Sequence, residues 1–258
     1  MAVEGEVVEE RPEEALATTN TAIIDDKDET VEEEEEEVDA KSAFGSMEYW
    51  DDTYVGRGDL PGDEYSWYYG WEKIRPHVQP HISSSSSKRG DRILIPGVGN
   101  DPILLDMLSA GYTELTAQDY SQHAIERQRD LLSHHRGGGG VSLSCGDVRK
   151  LPAEWRENPF DVIIEKGLLD AVYLSGDGQV ERAVRSLSRA LKPGGIFVSI
   201  SGVVPDDLRR RMFDYRDDAD SGNDGKDAAG REWMWIRDGA GDLQAGCFVF
   251  RKRKKSER

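Results

Sequence analysis

The sequence has few cysteines and no grouping of metal-binding side chains. Cys145 and Cys247 are its two cysteines among 258 residues, and both lie in apolar runs that favour buried, free thiols. Neither stands near a histidine at the spacing of a zinc site. We therefore expect no disulfide framework and no metal, and a reducing compartment, the cytoplasm or alternatively the nucleus.

Long apolar runs are also missing. No stretch approaches the ~20 residues that a membrane-spanning helix needs. The N-terminus is acidic and lacks the apolar region of a secretory signal, and it lacks the arginines of a transit peptide. The sequence therefore predicts a protein without a membrane partner.

Charge is unevenly distributed along the chain. The net charge is −18, of which −15 falls on residues 1–40 and only −3 on the remainder. Residues 1–41 include the run Glu32–Glu37 and cannot bury enough apolar area to offset their ordering entropy, which predicts a disordered acidic tail. Residues 42–258 form the predicted domain, and their near-neutral charge gives no reason to expect a nucleic acid partner.

The stretch 91–105 carries the first functional motif. Ile93, Leu94 and Ile95 form an apolar run without alternation, as in a parallel strand buried on both faces. Gly97 and Gly99 follow in a G-x-G-N turn, and a helix then begins with Asp101 as N-cap and Pro102 in its first turn. Strand, glycine turn and helix bring backbone amides close to a nucleotide, although this short pattern also occurs in ordinary turns.

Acidic residues follow three later strands at their carboxyl ends. Asp119 lies about twenty residues beyond the glycine turn, the spacing at which an acid accepts the hydroxyls of a ribose. Asp147 follows the third strand, where its carboxylate suits an adenine amine and the Val148 amide suits the ring edge. Glu165 and Lys166 end the fourth strand, where substrate and cofactor would meet. Helix capping and turn formation remain alternative roles for these acids.

Residues 44–71 are dense in aromatic side chains. Trp50 and Tyr54 share one face of a predicted helix because they are four residues apart. Such spacing fits a core helix as well as a lid over a binding pocket, and periodicity alone does not separate the two. Aromatic faces also suit a sulfonium or a methylated ammonium.

The order of elements predicts a three-layer α/β fold. Five strands alternate with helices, and two late strands form a hairpin at the sheet edge. The expected sheet is mostly parallel, so its strand ends gather the acids at one crevice.

Several motifs carry a resemblance to a known family. They are the stretches 48–54 (EYWDDTY), 65–68 (YSWY), 97–100 (GVGN), 147–151 (DVRKL), 165–171 (EKGLLDA) and 191–195 (LKPGG). Together they resemble class I S-adenosylmethionine-dependent methyltransferases, and more narrowly the methyltransferase-like 13 group of protein lysine methyltransferases. The resemblance implies a Rossmann-like sandwich with a seven-stranded, mostly parallel sheet whose last strand is antiparallel.

The resemblance also implies a cofactor, S-adenosyl-L-methionine, and a protein substrate such as translation elongation factor 1-alpha. The residues expected to bind the cofactor are Trp50, Tyr54, Trp67, Gly97, Gly99, Asp119, Tyr120, Asp147, Val148 and Lys166. From its location after the fourth strand, Asp170 is the candidate catalytic residue, and Asp170 or Tyr173 is expected to line the acceptor site. A structural cap is the alternative role for Asp170. Leu168 replaces the group's usual threonine. A small-molecule methyltransferase and a cofactor-binding module without turnover are the alternatives.

Overall fold

The computed structural model describes residues 42–57, 65–82, 90–136, 138–176, 178–214, 231–240, 245–254 and 256. Seven strands form one sheet in the order β3-β2-β1-β4-β5-β7-β6. The first five strands pair in parallel, and β7 pairs antiparallel with both β5 and β6. This topology confirms the predicted mostly parallel α/β sheet with its antiparallel hairpin.

The strands of this sheet are short except for β5. They are β1 Ile93–Pro96, β2 Leu115–Asp119, β3 Ser142–Cys145, β4 Phe160–Lys166, β5 Leu191–Ser201, β6 Trp233–Arg237 and β7 Gly246–Lys252. The helices lie between them or precede them. They are α1 Met47–Tyr54, α2 Trp71–Val78, α3 Ile103–Ser109, α4 Gln122–Ser133, α5 Glu154–Glu157, α6 Leu168–Tyr173, α7 Val180–Ala190 and α8 Asp206–Met212.

Helices cover both faces of the sheet, which explains the unbroken apolar run in β1. Ile93 and Ile95 belong to one apolar cluster, which includes buried side chains of α2 and α3. Leu94 belongs to the other, which includes buried side chains of α6 and α7. Successive residues of a strand point to opposite faces, and helices cover both faces of this sheet. All three side chains are therefore buried. The helix layers therefore fix the strand ends on which the polar residues lie.

Two local predictions need correction, and one sequence motif lies inside a strand. Helix α3 begins at Ile103, and Pro102 occupies the N-cap, so Asp101 caps from one position earlier by accepting the Ile103 amide at 2.9 Å. The segment 191–195 (LKPGG) lies inside β5 as a bulge, because the register jumps from Leu191 to Ile196. The Cys145 thiol is exposed rather than buried, whereas Cys247 is buried.

One prediction concerns residues that the structure does not describe, because the acidic tail at 1–41 lies outside the described residues. Within the described ranges, no helix is both long and apolar enough to cross a membrane. The same ranges contain no cluster of three or more metal-ligating side chains.

Candidate active site

One pocket opens at the carboxyl ends of β1, β2 and β4. It is walled by the loops that leave these strands and by the aromatic segments that precede β1. All ten residues predicted to bind the cofactor line this pocket: Trp50, Tyr54, Trp67, Gly97, Gly99, Asp119, Tyr120, Asp147, Val148 and Lys166. Residues 80 and more positions apart in the sequence are therefore brought to one cavity.

The glycine turn forms the floor of the pocket. Gly97 and Gly99 have φ angles of +64° and +55°, a region that costs other residues roughly 1–2 kcal/mol. A Cβ at Gly99 would lie 2.8 Å from the Tyr54 hydroxyl, and one at Gly97 would lie 2.8 Å from Cδ1 of Leu168. The turn thus leaves no room for side chains, which allows its backbone to approach a ligand closely.

Asp119 joins the end of β2 to the glycine turn. Its Oδ2 accepts the Gly99 amide at 2.9 Å, and its Oδ1 accepts the Ser121 amide at 2.9 Å. Burial raises the pKa of this carboxyl to about 6, and the two amides oppose the rise. Each carboxylate oxygen has a second lone pair, so a positioned acceptor remains for a ligand hydroxyl.

Asp147 and Val148 follow β3 on the neighbouring wall. Asp147 caps a short 3-10 helix by accepting the Arg149 amide at 2.8 Å, and the Arg149 Nε lies 2.9 and 3.0 Å from its two oxygens. Burial raises the pKa of Asp147, but the Arg149 contacts outweigh it and the net shift is downward. Val148 is the first residue of that short helix, where amides have no acceptor within the helix.

Lys166 ties three parts of the pocket together. Its Nζ lies 2.6 Å from Oδ2 of Asp101, and both side chains are 8% exposed. The same Nζ donates to the Trp67 carbonyl oxygen at 2.5 Å. The end of β4 is therefore fixed to the glycine turn and to the segment that carries Trp67.

Six aromatic residues from the two segments before β1 form what we call the aromatic lid: Phe44, Tyr49, Trp50, Tyr54, Tyr65 and Trp67. Trp50 is central, because its ring lies 5.3 Å from Trp67 in a T-shaped contact and 6.1 Å from Tyr54 in a stacked one. Its Nε1 donates to the Phe44 carbonyl oxygen at 2.7 Å. Four of the six residues, Trp50, Tyr54, Tyr65 and Trp67, line the pocket. The lid therefore covers a cavity, which the sequence pattern did not distinguish from core packing.

Two tyrosines next to Trp67 connect the lid segment to α6 and to the residue before β7. Tyr68 donates from its hydroxyl to Oδ2 of Asp170 at 2.7 Å, and the Tyr69 hydroxyl accepts the Ala245 amide at 2.7 Å. Tyr68 has a φ angle of +65°, which is uncommon for a residue with a bulky side chain. Backbone strain of this kind persists only where surrounding contacts hold it.

Asp170 has a different environment from the one expected of a catalytic residue. Its carboxylate accepts hydrogen bonds from Tyr68, from the Ser201 hydroxyl at 2.6 Å and from the amides of residues 202–204. It is 2% exposed and is absent from the pocket lining. The geometry gives Asp170 a positioning role under the lid and does not support direct contact with an acceptor.

Glu165 is also buried beneath the pocket and does not line it. Its side chain is fully buried, accepts the Leu169 amide at 3.2 Å and receives the Ser199 hydroxyl. Burial raises the pKa of Glu165 to about 8. At neutral pH this carboxyl is therefore mostly protonated, and it does not supply negative charge to an acceptor.

Gln128 is a supporting residue that the sequence reasoning missed. Its Nε2 donates to the carbonyl oxygens of Gly99 at 2.9 Å and Asp101 at 2.8 Å, so α4 holds the glycine turn from below. One sequence feature could have indicated this role. Gln128 is a glutamine on the apolar face of the helix, three residues after Ile125 and four before Leu132.

Comparison with known proteins shows which proteins this chain resembles. Residues 94–199 match a family model described as a methyltransferase domain. The chain is 28% identical over 169 residues to EEF1A lysine methyltransferase 4 of Bos taurus, a match that covers 62% of each chain. It is also 28% identical to EEF1A lysine methyltransferase 2 of Homo sapiens, over 62% of this chain and 69% of that protein. The chain thus spans less than two thirds of the first of these relatives.

Solved structures agree on the fold. The crystal structure of the [4+2]-cyclase SpnF has a TM-score of 0.55 at 16% identity and covers 83% of this chain and 96% of its own. A structure solved for the conversion of a disulfide bond into a thioacetal group during echinomycin biosynthesis has a TM-score of 0.54 at 19% identity, over 81% and 93%. The chemistry named for these neighbours differs, so the similarity describes architecture alone.

The family match spans β1 to β5 and therefore includes the glycine turn and the three acids at the strand ends. Over these residues the chain is similar to methyltransferases.

Proposed function

We propose that this protein transfers a methyl group from S-adenosylmethionine to a lysine of a protein substrate. The observation that carries the proposal is the single pocket lined by the glycine turn, by Asp119, by Asp147 with Val148, and by the aromatic lid. The glycine turn suits close backbone contact, and Asp119 suits a ribose. Asp147 with Val148 suits an adenine edge, and the aromatic lid suits a sulfonium. Two observations favour an adenosyl ligand: a Cβ would fill the cradle at Gly99, and Asp119 offers a preorganised carboxylate there.

The residues of the pocket bind and orient rather than form covalent bonds. Bound S-adenosylmethionine supplies an electrophilic methyl group on a sulfonium sulfur. Asp119 is placed to accept ribose hydroxyls, and the Val148 amide is placed for a ring nitrogen of the base. Trp50 and Trp67 exclude water and present aromatic faces, which attract a cation. Positioning and desolvation account for catalysis of this type.

A lysine acceptor must arrive without its proton. The three carboxylates that line the described part of the pocket are already engaged, Asp101 by Lys166, Asp119 by two amides and Asp147 by Arg149. We therefore propose that the lid lowers the pKa of the entering amine by desolvation and that its proton leaves to water. No step requires Asp170 as a base.

The proposed substrate is translation elongation factor 1-alpha, and the proposed place of reaction is the cytoplasm. The support is that the curated relatives are named as lysine methyltransferases of this factor. The chain is 28% identical to each of them, over 169 and 166 residues. Because part of each relative lies outside the match, the substrate is the part of the proposal that most needs a direct test.

The test is transfer of a radiolabelled methyl group from S-adenosylmethionine to purified elongation factor 1-alpha. We expect label in the protein band, and mass spectrometry to locate it on a lysine. Asp119→Ala should abolish labelling while circular dichroism shows a folded domain. Label that appears only in small molecules of a lysate would contradict the protein substrate, and binding without any transfer would contradict the activity.

A further inference from the structure

Helix α1 carries Trp50 and Tyr54 of the aromatic lid but buries little of its own surface. Of its eight residues, Thr53 is buried and the others are partly or fully exposed. The helix packs chiefly against α4 and against the short 3-10 helix Ala43–Gly45. An isolated helix shorter than ~12–15 residues is marginal in water. The position of α1 over the pocket therefore depends on the contacts that it makes with these neighbours.

Asp51 joins α1 to the residues that follow Asp119. Its Oδ1 accepts the hydroxyl of Ser121, the N-cap of α4, and lies 3.5 Å from Nδ1 of His123. The amide of the same Ser121 donates to Asp119, so a single residue contacts both carboxylates. Because Ser121 is buried, the inner end of this connection is shielded from water, which strengthens its hydrogen bonds.

Tyr120 provides a second contact to the same helix. Its hydroxyl donates to the Met47 carbonyl oxygen at 3.1 Å. Met47 and Asp51 are four residues apart and therefore lie one above the other on α1. Two successive residues, Tyr120 and Ser121, thus contact α1 at points one turn apart, and together they fix both its position and its rotation.

The orientation of α1 determines where its aromatic side chains lie. Trp50 directly precedes Asp51, and Tyr54 follows it by three residues, which makes Asp51 and Tyr54 neighbours on the helix surface. Both aromatic residues line the pocket. The Tyr54 hydroxyl also reaches the glycine turn, where it lies 2.8 Å from the position of a Cβ at Gly99. A ligand beneath these rings leaves the pocket only after α1 moves away.

We propose that Asp51 and Ser121 form a latch, in which Asp51 is a positioning residue that holds α1 closed over the cofactor. This inference rests on the proposed function, because it requires an adenosyl cofactor beneath the lid. Ser121 contacts Asp119 through its amide and Asp51 through its hydroxyl. The carboxylate that receives the ligand and the helix that covers it are therefore held by one residue. Loss of the latch speeds release of the cofactor and leaves the chemical step unchanged once the site is saturated.

The test measures the affinity and the dissociation rate of S-adenosylhomocysteine by calorimetry and stopped-flow fluorescence. Asp51→Ala removes the acceptor and should raise both the Kd and the dissociation rate about fivefold. It should also raise the KM for S-adenosylmethionine and leave kcat near the wild-type value. Asp51→Asn keeps an oxygen that accepts from Ser121, so its values should lie within about twofold of the wild type.

Asp52→Ala is the matched control. The side chains of Asp51 and Asp52 are 41% and 42% exposed on the same helix, but Asp52 pairs with Arg57 at 2.8 Å and not with α4. This variant should bind and release S-adenosylhomocysteine as the wild-type protein does. Equal effects of Asp51→Ala and Asp52→Ala would overturn the latch.

A double-mutant cycle assigns the effect to the contact itself. In a Ser121→Ala background, Asp51→Ala should change the dissociation rate by less than about twofold, because the hydrogen bond is already lost. An equally large effect of Asp51→Ala in both backgrounds would contradict the proposal, since the carboxylate would then act without Ser121.

Hydrogen exchange of the α1 amides tests the latch in the absence of a ligand. We expect faster exchange in Asp51→Ala than in Asp52→Ala, and equal exchange in the two variants would overturn the inference. If the wild-type protein does not bind S-adenosylhomocysteine, the proposed function fails, whereas hydrogen exchange still decides whether Asp51 holds the helix. The two failures are therefore distinguishable.

Discussion

Asp119 controls cofactor binding in this account, and its burial makes that binding dependent on pH. The pKa of its carboxyl is raised to about 6, so the group loses its charge as the pH falls through that value. We expect the affinity for S-adenosylhomocysteine to decrease below about pH 6, because a protonated oxygen is a poorer acceptor for ribose hydroxyls. Calorimetric titrations from pH 5 to pH 8 measure this dependence.

Asp119→Asn is the matched variant for that titration. It should bind weakly at every pH and lose the decline around pH 6, because asparagine does not titrate. A wild-type decline that persists in Asp119→Asn would assign the pH dependence to another group.

Glu165 should affect stability rather than binding. Its pKa is raised from about 4.5 to about 8 by burial, so between these pH values the folded protein keeps a proton that the unfolded chain has released. The free energy of unfolding should therefore fall as the pH rises from about 4.5 to about 8. Glu165→Gln should lack this contribution, and urea titrations at pH 5 and pH 8.5 measure the difference.

The control for Glu165 is an exposed acid, Glu157→Gln. This variant should follow the wild-type dependence of stability on pH. The explanation fails if Glu165→Gln and the wild-type protein lose the same stability between the two pH values.

Substitutions at two glycines distinguish the effect of backbone strain from the effect of steric exclusion in the glycine turn. Gly99 and Gly111 both have positive φ angles, but a Cβ at Gly99 would meet Tyr54, whereas a Cβ at Gly111 would meet nothing within 4 Å. Gly99→Ala should lower stability by more than about 1–2 kcal/mol and also weaken cofactor binding. Gly111→Ala should lower stability alone, as thermal melts and calorimetry together would reveal. Equal binding losses in the two variants would contradict a role for the turn as a cradle.

We expect the hydrogen bond from Tyr68 to Asp170 to affect cofactor binding as well as stability. Tyr68→Phe removes the donor to Asp170, so it should cost about 1 kcal/mol of stability and raise the KM for S-adenosylmethionine more than it lowers kcat. The reason is that Tyr68 contacts Trp67, with their ring centroids 5.9 Å apart, and thereby positions a wall of the pocket.

Tyr69→Phe is the control variant for Tyr68→Phe. It removes one hydrogen bond of similar length, to Ala245, but Tyr69 has no recorded ring contact with Trp67 in the described part of the chain. It should cost similar stability and leave KM near the wild-type value. Equal KM changes in the two variants would contradict a role of the Tyr68–Asp170 hydrogen bond in positioning Trp67.

Much of the molecule was predictable because local patterns and topology agree. The apolar run of β1 required two covered faces, and the acids at strand ends were expected at one crevice because parallel strands end at one edge of a sheet. The contacts that support the site were not predictable, because they join residues remote in sequence. Tyr68 and Asp170 are 102 positions apart, and Glu165 and Ser199 are 34 apart. A carboxylate in the sequence does not reveal whether it faces a pocket or a buried network, and the sequence therefore left the role of Asp170 open.

The most direct test of the account is a crystal structure of the protein with S-adenosylhomocysteine. We expect the nucleoside in the pocket between Asp119 and Asp147, with Trp50 and Trp67 over the sulfur end. A nucleoside bound elsewhere, or a pocket that stays closed by its own side chains at saturating ligand, would contradict it.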